Sequence, residues 1–121
     1  MRPTLYVAGP MSGLPEMNYP AFVDAERRLV EHGFTVLNPI ANESLREAND
    51  AQRWATWSWY MRQSLKQIAE TDHIAVLPGW QDSVGARLEV QIARALGMIV
   101  RPLDDWLAGV ESDSLEPVAH E

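Results

Sequence analysis

The sequence predicts an α/β fold, a three-layer sandwich in which helices cover both faces of a mainly parallel sheet of four to five strands. Short apolar runs rich in β-branched and aromatic residues alternate with longer segments that have helical periodicity. The apolar runs end at Gly or Pro, as strands commonly do. Strands that alternate with helices are typical of parallel sheets with right-handed crossovers, and 121 residues suit one domain.

Four segments are predicted strands. They share a high content of Val, Ile, Leu and aromatic residues, and turn residues follow them. The predicted strands are Thr4–Gly9, Phe34–Pro39, His73–Trp80 and Met98–Leu103. In open parallel sheets, ligands bind beyond the carboxyl ends of the strands. The segments that follow the first three strands are therefore the first places to look for a site.

Three longer segments are predicted helices. The first, Tyr19–Gly33, has apolar residues at helical spacing, and Pro20 suits its first turn. The second, Trp54–Asp72, carries the apolar positions Met61, Leu65 and Ile68. The third, Ser83–Gly97, begins with a good N-cap residue and ends with a C-cap glycine. A short helical turn is expected within the polar stretch that follows Ile40, and another helix after the last strand.

Residues 1–108 are predicted to form the α/β domain, and residues 109–121 an acidic, flexible C-terminal tail. The net charge of −7 disfavours binding to long nucleic acids, although it permits a small phosphorylated ligand. The absence of cysteine excludes disulfides and thiolate chemistry and fits the cytoplasm. We expect no signal peptide, no membrane span, no metal site and no redox cofactor, because neither apolar runs nor histidine spacing indicates them.

The segment Pro78–Glu89, "PGWQDSVGARLE", is the first candidate for chemistry. Ser83 and Gly85 open a helix, where free N–H groups and a hydroxyl can bind an anion. Taken alone, an ordinary helix cap explains this turn somewhat better. Glu89 lies four residues after Gly85, on the same helix face. Its carboxylate is a candidate nucleophile or electrostatic stabiliser, although a surface Glu would be the commoner outcome.

The loop after the first strand, "GPMSG", is the second candidate. It differs from a dinucleotide-binding GxGxxG fingerprint in its spacing and lacks the lysine of a P-loop. Glycines at a strand end let the backbone approach a ligand closely. Tyr6 and Met11 are suited to line a slot for a flat ring. The loop comprises Gly9, Pro10, Met11, Ser12 and Gly13.

An aromatic run, "WATWSWY", contains Trp54, Trp57, Trp59 and Tyr60. Core packing or a subunit interface explains this composition better than base stacking, because Trp is common at interface hot spots. We therefore predict a homodimer or higher homo-oligomer. An interaction protein that docks another chain through this Trp-rich helix is a further hypothesis.

Together these segments resemble the nucleoside 2-deoxyribosyltransferase-like superfamily, and more closely its small DUF4406 branch of phages and prophages. The resemblance extends from Leu5 to about Trp106 and is most specific in "AGPMSG" and "LPGWQDSVGARLE". It implies a flavodoxin-like or Rossmann-like fold. It also implies cleavage of the N-glycosidic bond of a nucleoside or nucleoside 5′-monophosphate, with transfer of the sugar to water or to another base.

The resemblance further implies roles for individual residues. Glu89 would attack the anomeric carbon, and Tyr6 would lie beside it. Ser83 and Gly85 would bind the 5′ group or its phosphate. Asp82, next to them, is a further candidate for contact with the substrate. The loop Gly9–Gly13 would shape the pocket for sugar and base.

One position departs from the pattern of the superfamily. An Asp is common eight residues before the Asp that precedes the third strand, and here that position, counted back from Asp72, is Ser64. Serine can hydrogen-bond to a substrate but cannot act as a general acid near neutral pH. The leading hypothesis is an N-glycosidase or deoxyribosyltransferase. A module that binds or sequesters a nucleotide without cleaving it is the alternative that Ser64 favours.

Overall fold

Four parallel strands form one sheet in the computed structural model, which describes residues 2–47 and 56–109. The strands are β1 (Thr4–Ala8), β2 (Thr35–Leu37), β3 (His73–Val76) and β4 (Val100–Pro102). Their order across the sheet is β2-β1-β3-β4, and every neighbouring pair is parallel. This order matches the first four strands of a flavodoxin-like sheet. The predicted α/β fold class is therefore confirmed.

The central strand β1 is deeply buried, since its residues 5–8 are fully inaccessible to solvent. It pairs with β2 through Thr4–Thr35 and with β3 through Ala8–Val76. The sheet extends to β2 on one side of β1 and to β3 on the other. A crevice at the carboxyl edge is expected where the strand order reverses in this way, between β1 and β3.

In the described residues, five α-helices flank the sheet: α1 (Tyr19–Glu31), α2 (Ala41–Glu47), α3 (Trp57–Ala69), α4 (Val84–Ala95) and α5 (Leu103–Leu107). Helices α1 and α5 pack together on one face, and α3 and α4 pack together on the other. Ser83 is the N-cap of α4, as predicted, because its hydroxyl accepts a hydrogen bond from the backbone N–H of Ala86 at 3.1 Å.

The two faces of the sheet carry separate hydrophobic clusters. Alternate residues of β1 point to opposite faces. Leu5 and Val7 pack with Phe22 and Trp106 on the face of α1 and α5. Tyr6 belongs to the cluster under α3 and α4.

Several details differ from the sequence prediction. Val23 and Val30 of the first helix are apolar but more than half exposed, because only Phe22, Ala25 and Leu29 of that helix turn inward. The polar stretch after Ile40 forms α2, a seven-residue helix rather than a single turn. Trp54 and residues 110–121 of the predicted tail lie outside the described residues. Among the helices that the structure describes, none has the length and hydropathy needed to span a bilayer.

Candidate active site

A cavity of about 1110 Å³ opens at the carboxyl edge of the sheet. Its walls come from the loop after β1, the start of α2, the first turns of α3 and the segment that joins β3 to α4. Ligand pockets in proteins typically enclose about 300–1,000 Å³, so this cavity has room for a molecule as large as a nucleotide. Its place agrees with the crevice expected between β1 and β3.

Glu89 lies in the wall of this cavity, on the second turn of α4. Only 7% of the residue is exposed to solvent. The Tyr6 hydroxyl donates a hydrogen bond of 2.8 Å to Oε2 of Glu89 from the centre of β1. A buried carboxylate is costly unless hydrogen bonds stabilise it, so this pairing is part of what allows the charge to exist here.

Ser64 completes a group of three buried polar side chains. It lies on α3, is 5% exposed, and its hydroxyl acts to lower the pKa of both Glu89 and Tyr6. From the resemblance to the superfamily, Ser64 was predicted to contact the substrate, and it does line the cavity. A strand and two helices therefore converge on one carboxyl group.

Burial raises the pKa of the Glu89 carboxyl from 4.5 to about 7, while the hydrogen bonds from Tyr6 and Ser64 act to lower it. Burial, together with the nearby Glu89 charge, raises the pKa of the Tyr6 hydroxyl well above its usual value of 10. Tyr6 therefore keeps its proton and acts as a donor. Glu89 exists near neutral pH as a mixture of acid and carboxylate, a state suited to a nucleophile or a proton-transfer group.

The turn that begins α4 has two roles in the structure. The Ser83 hydroxyl caps the helix, but a hydroxyl that accepts one hydrogen bond can still donate its own proton to a ligand. Gly85 lines the cavity, and a Cβ there would lie 3.3 Å from the terminal methyl carbon of Met61 and 3.6 Å from Nε1 of Trp57. The missing side chain thus also lets α4 pack closely on α3.

The loop after β1 also combines packing with exposure to the cavity. A Cβ on Gly9 would lie 2.8 Å from Cβ of Leu77, so only glycine fits where β1 and β3 end side by side. Pro10, Met11 and Ser12 line the cavity. Gly13 has a left-handed φ of 83°, faces open space and is not among the lining residues, so the prediction that it shapes the pocket finds no contact.

A left-handed turn follows this loop. Glu16, Met17 and Asn18 have φ values of 54°, 55° and 62°, which non-glycine residues adopt rarely. The Asn18 side chain donates a hydrogen bond of 2.9 Å to the carbonyl of Pro10, which ties the turn back to the loop. Glu16 and Met17 therefore reach the cavity wall.

Two further side chains lie at the mouth of the cavity. Asp82, on the turn before Ser83, lines the cavity and is exposed to solvent. Trp57 is 52% exposed and borders the same opening. This exposure does not decide whether the aromatic run forms a subunit interface, so that role stays a prediction.

The sequence prediction missed Asn42 and Tyr60, which also line the cavity. No motif marks Asn42, and Tyr60 was placed on a predicted helix only as part of the aromatic run. For Asn42, the useful signal was its place shortly after the second strand. Within residues 2–47 and 56–109, no three His, Asp or Glu side chains come together in a way that could hold a metal ion.

The fold and the site together define an α/β protein with a cavity at the carboxyl edge of a parallel sheet and a buried carboxyl group in the wall of that cavity. A protein-family model described as "Domain of unknown function (DUF4406)" matches residues 3–101. The chain therefore belongs to the DUF4406 family. A search of curated proteins gave no match to the chain.

Proposed function

We propose that the protein is an N-glycosidase-type hydrolase, or a deoxyribosyltransferase, in which Glu89 attacks the anomeric carbon of a nucleoside or nucleoside 5′-monophosphate. The observation that carries this proposal is the Glu89 carboxyl group. It is buried in the wall of a nucleotide-sized cavity and accepts a hydrogen bond of 2.8 Å from the Tyr6 hydroxyl. The similarity of "AGPMSG" and "LPGWQDSVGARLE" to the nucleoside 2-deoxyribosyltransferase-like superfamily supports the same assignment.

In the proposed reaction, a Glu89 carboxylate oxygen forms a bond to C1′ as the N-glycosidic bond breaks. The bonding electrons leave with the base nitrogen, which takes up a proton. A water molecule, or a second base, then attacks C1′ and releases the sugar from Glu89. Carboxylates suit this chemistry because the transition state resembles an oxocarbenium ion.

Tyr6 has a positioning role in this scheme. Its hydroxyl holds the Glu89 carboxylate in one orientation and stabilises the ionised form. The proton that the leaving base takes up comes from solvent, and we propose that Asp82, exposed at the cavity mouth, contacts the sugar or base in place of the missing Asp. No metal or redox cofactor is required by these steps.

A nucleoside 5′-monophosphate is the preferred form of the substrate. The first N–H groups of a helix have no acceptor within the helix, and the helix dipole favours an anion there. Ser83 and Gly85 lie at this end of α4 and also line the cavity. We propose that they bind the 5′-phosphate, and that Pro10, Met11 and Ser12 contact the sugar and base.

The test is incubation with a panel of ribo- and deoxyribonucleosides and their 5′-monophosphates, followed by chromatography for free base. The proposal predicts release from at least one of them and loss of that release in Glu89→Gln. Glu70→Gln, which alters an exposed carboxylate at the end of α3, is the matched control. If no substrate loses its base, or if Glu89→Gln releases base as fast as wild type, Glu89 does not catalyse this reaction.

A nucleotide-binding module without cleavage is the second candidate. It is favoured by Ser64, which occupies the place beside Glu89 where a second carboxyl group is common in the superfamily. Thermal unfolding with each nucleotide separates the two functions. Stabilisation by a nucleotide that stays intact over hours would support sequestration.

We also propose that the protein acts in the cytoplasm as a homo-oligomer. Trp57 and Val84 are large apolar residues that are more than half exposed, on neighbouring helices. Light scattering of wild type and Trp57→Ala would show whether this surface joins subunits. An unchanged mass for the variant, or a monomeric wild type, would remove the interface role.

A further inference from the structure

Asn42 is a buried polar residue whose side chain has an unusual environment. It lies on the first turn of α2, is 5% exposed and contributes to the wall of the cavity that contains Glu89. In most buried side-chain amides, the nitrogen and the oxygen each have at least one hydrogen-bond partner. The hydrogen bonds around Asn42 therefore show which of its polar atoms is left for a ligand.

A chain of hydrogen bonds fixes which way the Asn42 amide points. Gln67 Nε2 donates to the backbone carbonyl of Asn38 at 3.1 Å. A carbonyl can only accept, so Gln67 must turn its NH₂ group toward Asn38 and its Oε1 toward Asn42. Asn42 Nδ2 then donates to Gln67 Oε1 at 3.1 Å. The reverse orientation of Asn42 would bring two oxygen atoms together.

Asn38 is itself held firmly in place. It is 5% exposed, and its side chain donates to the carbonyl of Phe22 and to Glu26 Oε1, each at 3.0 Å. The chain of amides thus runs from α1, through the end of β2 and through α3, to the cavity wall. Asn42 is positioned from behind by groups that a ligand does not touch.

The Oδ1 atom of Asn42 has no hydrogen-bond donor within the described part of the chain. Leaving a buried acceptor without a donor is energetically costly, so natural proteins keep few of them without a purpose. This acceptor belongs to a residue of the cavity wall, where a ligand with an O–H or N–H group would satisfy it.

We infer that Asn42 Oδ1 accepts a hydrogen bond from the nucleoside that fills the cavity, and that Gln67 is the positioning residue that holds the amide for it. This inference rests on the proposed function, because it deepens the recognition of the same substrate. The donor is either a sugar hydroxyl or an N–H group of the base. Both sources offer the same chemistry to Asn42, and analogues distinguish them.

A hydrogen bond from the substrate to Asn42 would also affect selectivity. A site that hydrogen-bonds a substrate group rejects an analogue that lacks this group, because the protein acceptor is then left buried and unsatisfied. The protein should therefore discriminate against one specific analogue, and the discrimination should depend on Asn42. A merely structural amide would affect all analogues equally.

The test measures binding by calorimetry in the Glu89→Gln background, where the ligand is not consumed. The probes are the tightest-binding of the common nucleoside 5′-monophosphates and its analogues without the 2′-hydroxyl, the 3′-hydroxyl or a base N–H. With Asn42 present, one analogue should bind roughly 10- to 100-fold more weakly than its parent. In Asn42→Ala the same pair should differ by less than about twofold.

Gln67→Ala tests the positioning role in the same background. It should weaken binding of the parent nucleotide while leaving the affinity for the critical analogue unchanged, because only the parent uses the oriented oxygen. Gln91→Ala, at an exposed position of α4 outside the cavity wall, is the matched control and should alter neither. If Asn42→Ala fails to fold, the discrimination lost in Gln67→Ala still decides the question.

Two outcomes would overturn the inference, and they are distinguishable. If nucleotides bind, but every analogue keeps the same ratio to its parent in wild-type and variant proteins, Asn42 is a structural amide and only the inference fails. If neither wild type nor Glu89→Gln binds any nucleotide or nucleoside, the proposed function fails and the inference fails with it.

Discussion

The two faces of the sheet have opposite characters although they share the same strands. On the face of α1 and α5, Leu5 and Val7 of β1 join a cluster of buried residues that are all hydrophobic. On the face of α3 and α4, Tyr6 of the same strand instead donates a hydrogen bond to the buried Glu89. A single strand thus contributes packing to one layer and a polar group to the other.

This difference shows where the chain departs from what stability alone would favour. Burying an ionisable carboxyl group costs free energy, and the raised pKa of Glu89 reports that cost. Among the described residues, the face of α1 and α5 buries no ionisable side chain and bears no comparable cost. Substitutions on the two faces should therefore affect different properties, and each of the following experiments can break or sharpen that contrast.

The largest expected effect is on catalysis, from Glu89→Gln. The amide has nearly the same shape as the carboxyl group but cannot form the bond to C1′, so base release should fall by at least roughly 10³-fold. The measurement is the rate of free base formation at saturating substrate. If the variant keeps most of the rate, Glu89 does not catalyse the reaction.

On the opposite face, Phe22→Ala should affect stability and not chemistry. Phe22 is fully buried in the cluster under α1, and its truncation should lower the free energy of unfolding by about 3–5 kcal/mol. Denaturant unfolding measures this change. The rate of base release, measured on the fraction that stays folded, should match wild type. A large loss of rate would show that the two faces are coupled.

A third experiment compares wild type with Glu89→Gln as the pH rises. Folded Glu89 holds its proton up to about pH 7, whereas the unfolded residue loses it near 4.5. The wild type therefore loses stability as the pH rises through this window, and the variant does not. At 1.36 kcal/mol per pH unit, the variant should gain roughly 3 kcal/mol relative to wild type between about pH 4 and pH 8.

The control for this pH dependence is Glu70→Gln, since Glu70 is exposed at the end of α3. Its stability relative to wild type should stay flat over the same range. A flat difference for Glu89→Gln as well would show that Glu89 does not hold a proton at neutral pH in the folded protein.

The smallest effect is expected from Tyr6→Phe. The hydroxyl donates to Glu89 and lowers its pKa, so its removal should raise that pKa and shift the midpoint of the pH–rate profile upward. Near neutral pH the rate should fall roughly tenfold, the value of one hydrogen bond to a charged group. At higher pH the rate should recover toward wild type. A uniform loss at every pH would point to a different role for Tyr6.

Much of the fold follows from the sequence, because alternating apolar runs and amphipathic segments leave few other arrangements. The N-cap role of Ser83 also followed from local chemistry and was confirmed by its bond to Ala86. Phe22 and Val23 show a limit of periodicity. Both are apolar neighbours on one helix, but only the packing angle of that helix decides that Phe22 is buried and Val23 exposed.

The site was less accessible to sequence reasoning. Tyr6 and Glu89 are 83 residues apart, and only the resemblance to a known superfamily brought them together before the fold was known. The contact between Gly9 and Leu77 depends on how two strand ends meet. Asn42 depends on a chain of amides from three elements. No local pattern encodes such contacts, since the fold creates them.

The central claim is that Glu89 forms a covalent bond to the sugar. Fluorine at C2′ slows the breakdown of a glycosyl-enzyme, because it destabilises the oxocarbenium-like transition state. The protein should be mixed with 2′-fluoro analogues of its best substrate and examined by intact-mass and peptide mass spectrometry. We expect one added sugar, located on the peptide that contains Glu89 and absent in Glu89→Gln. A sugar adduct on another residue, or release of base without any adduct, would contradict the account.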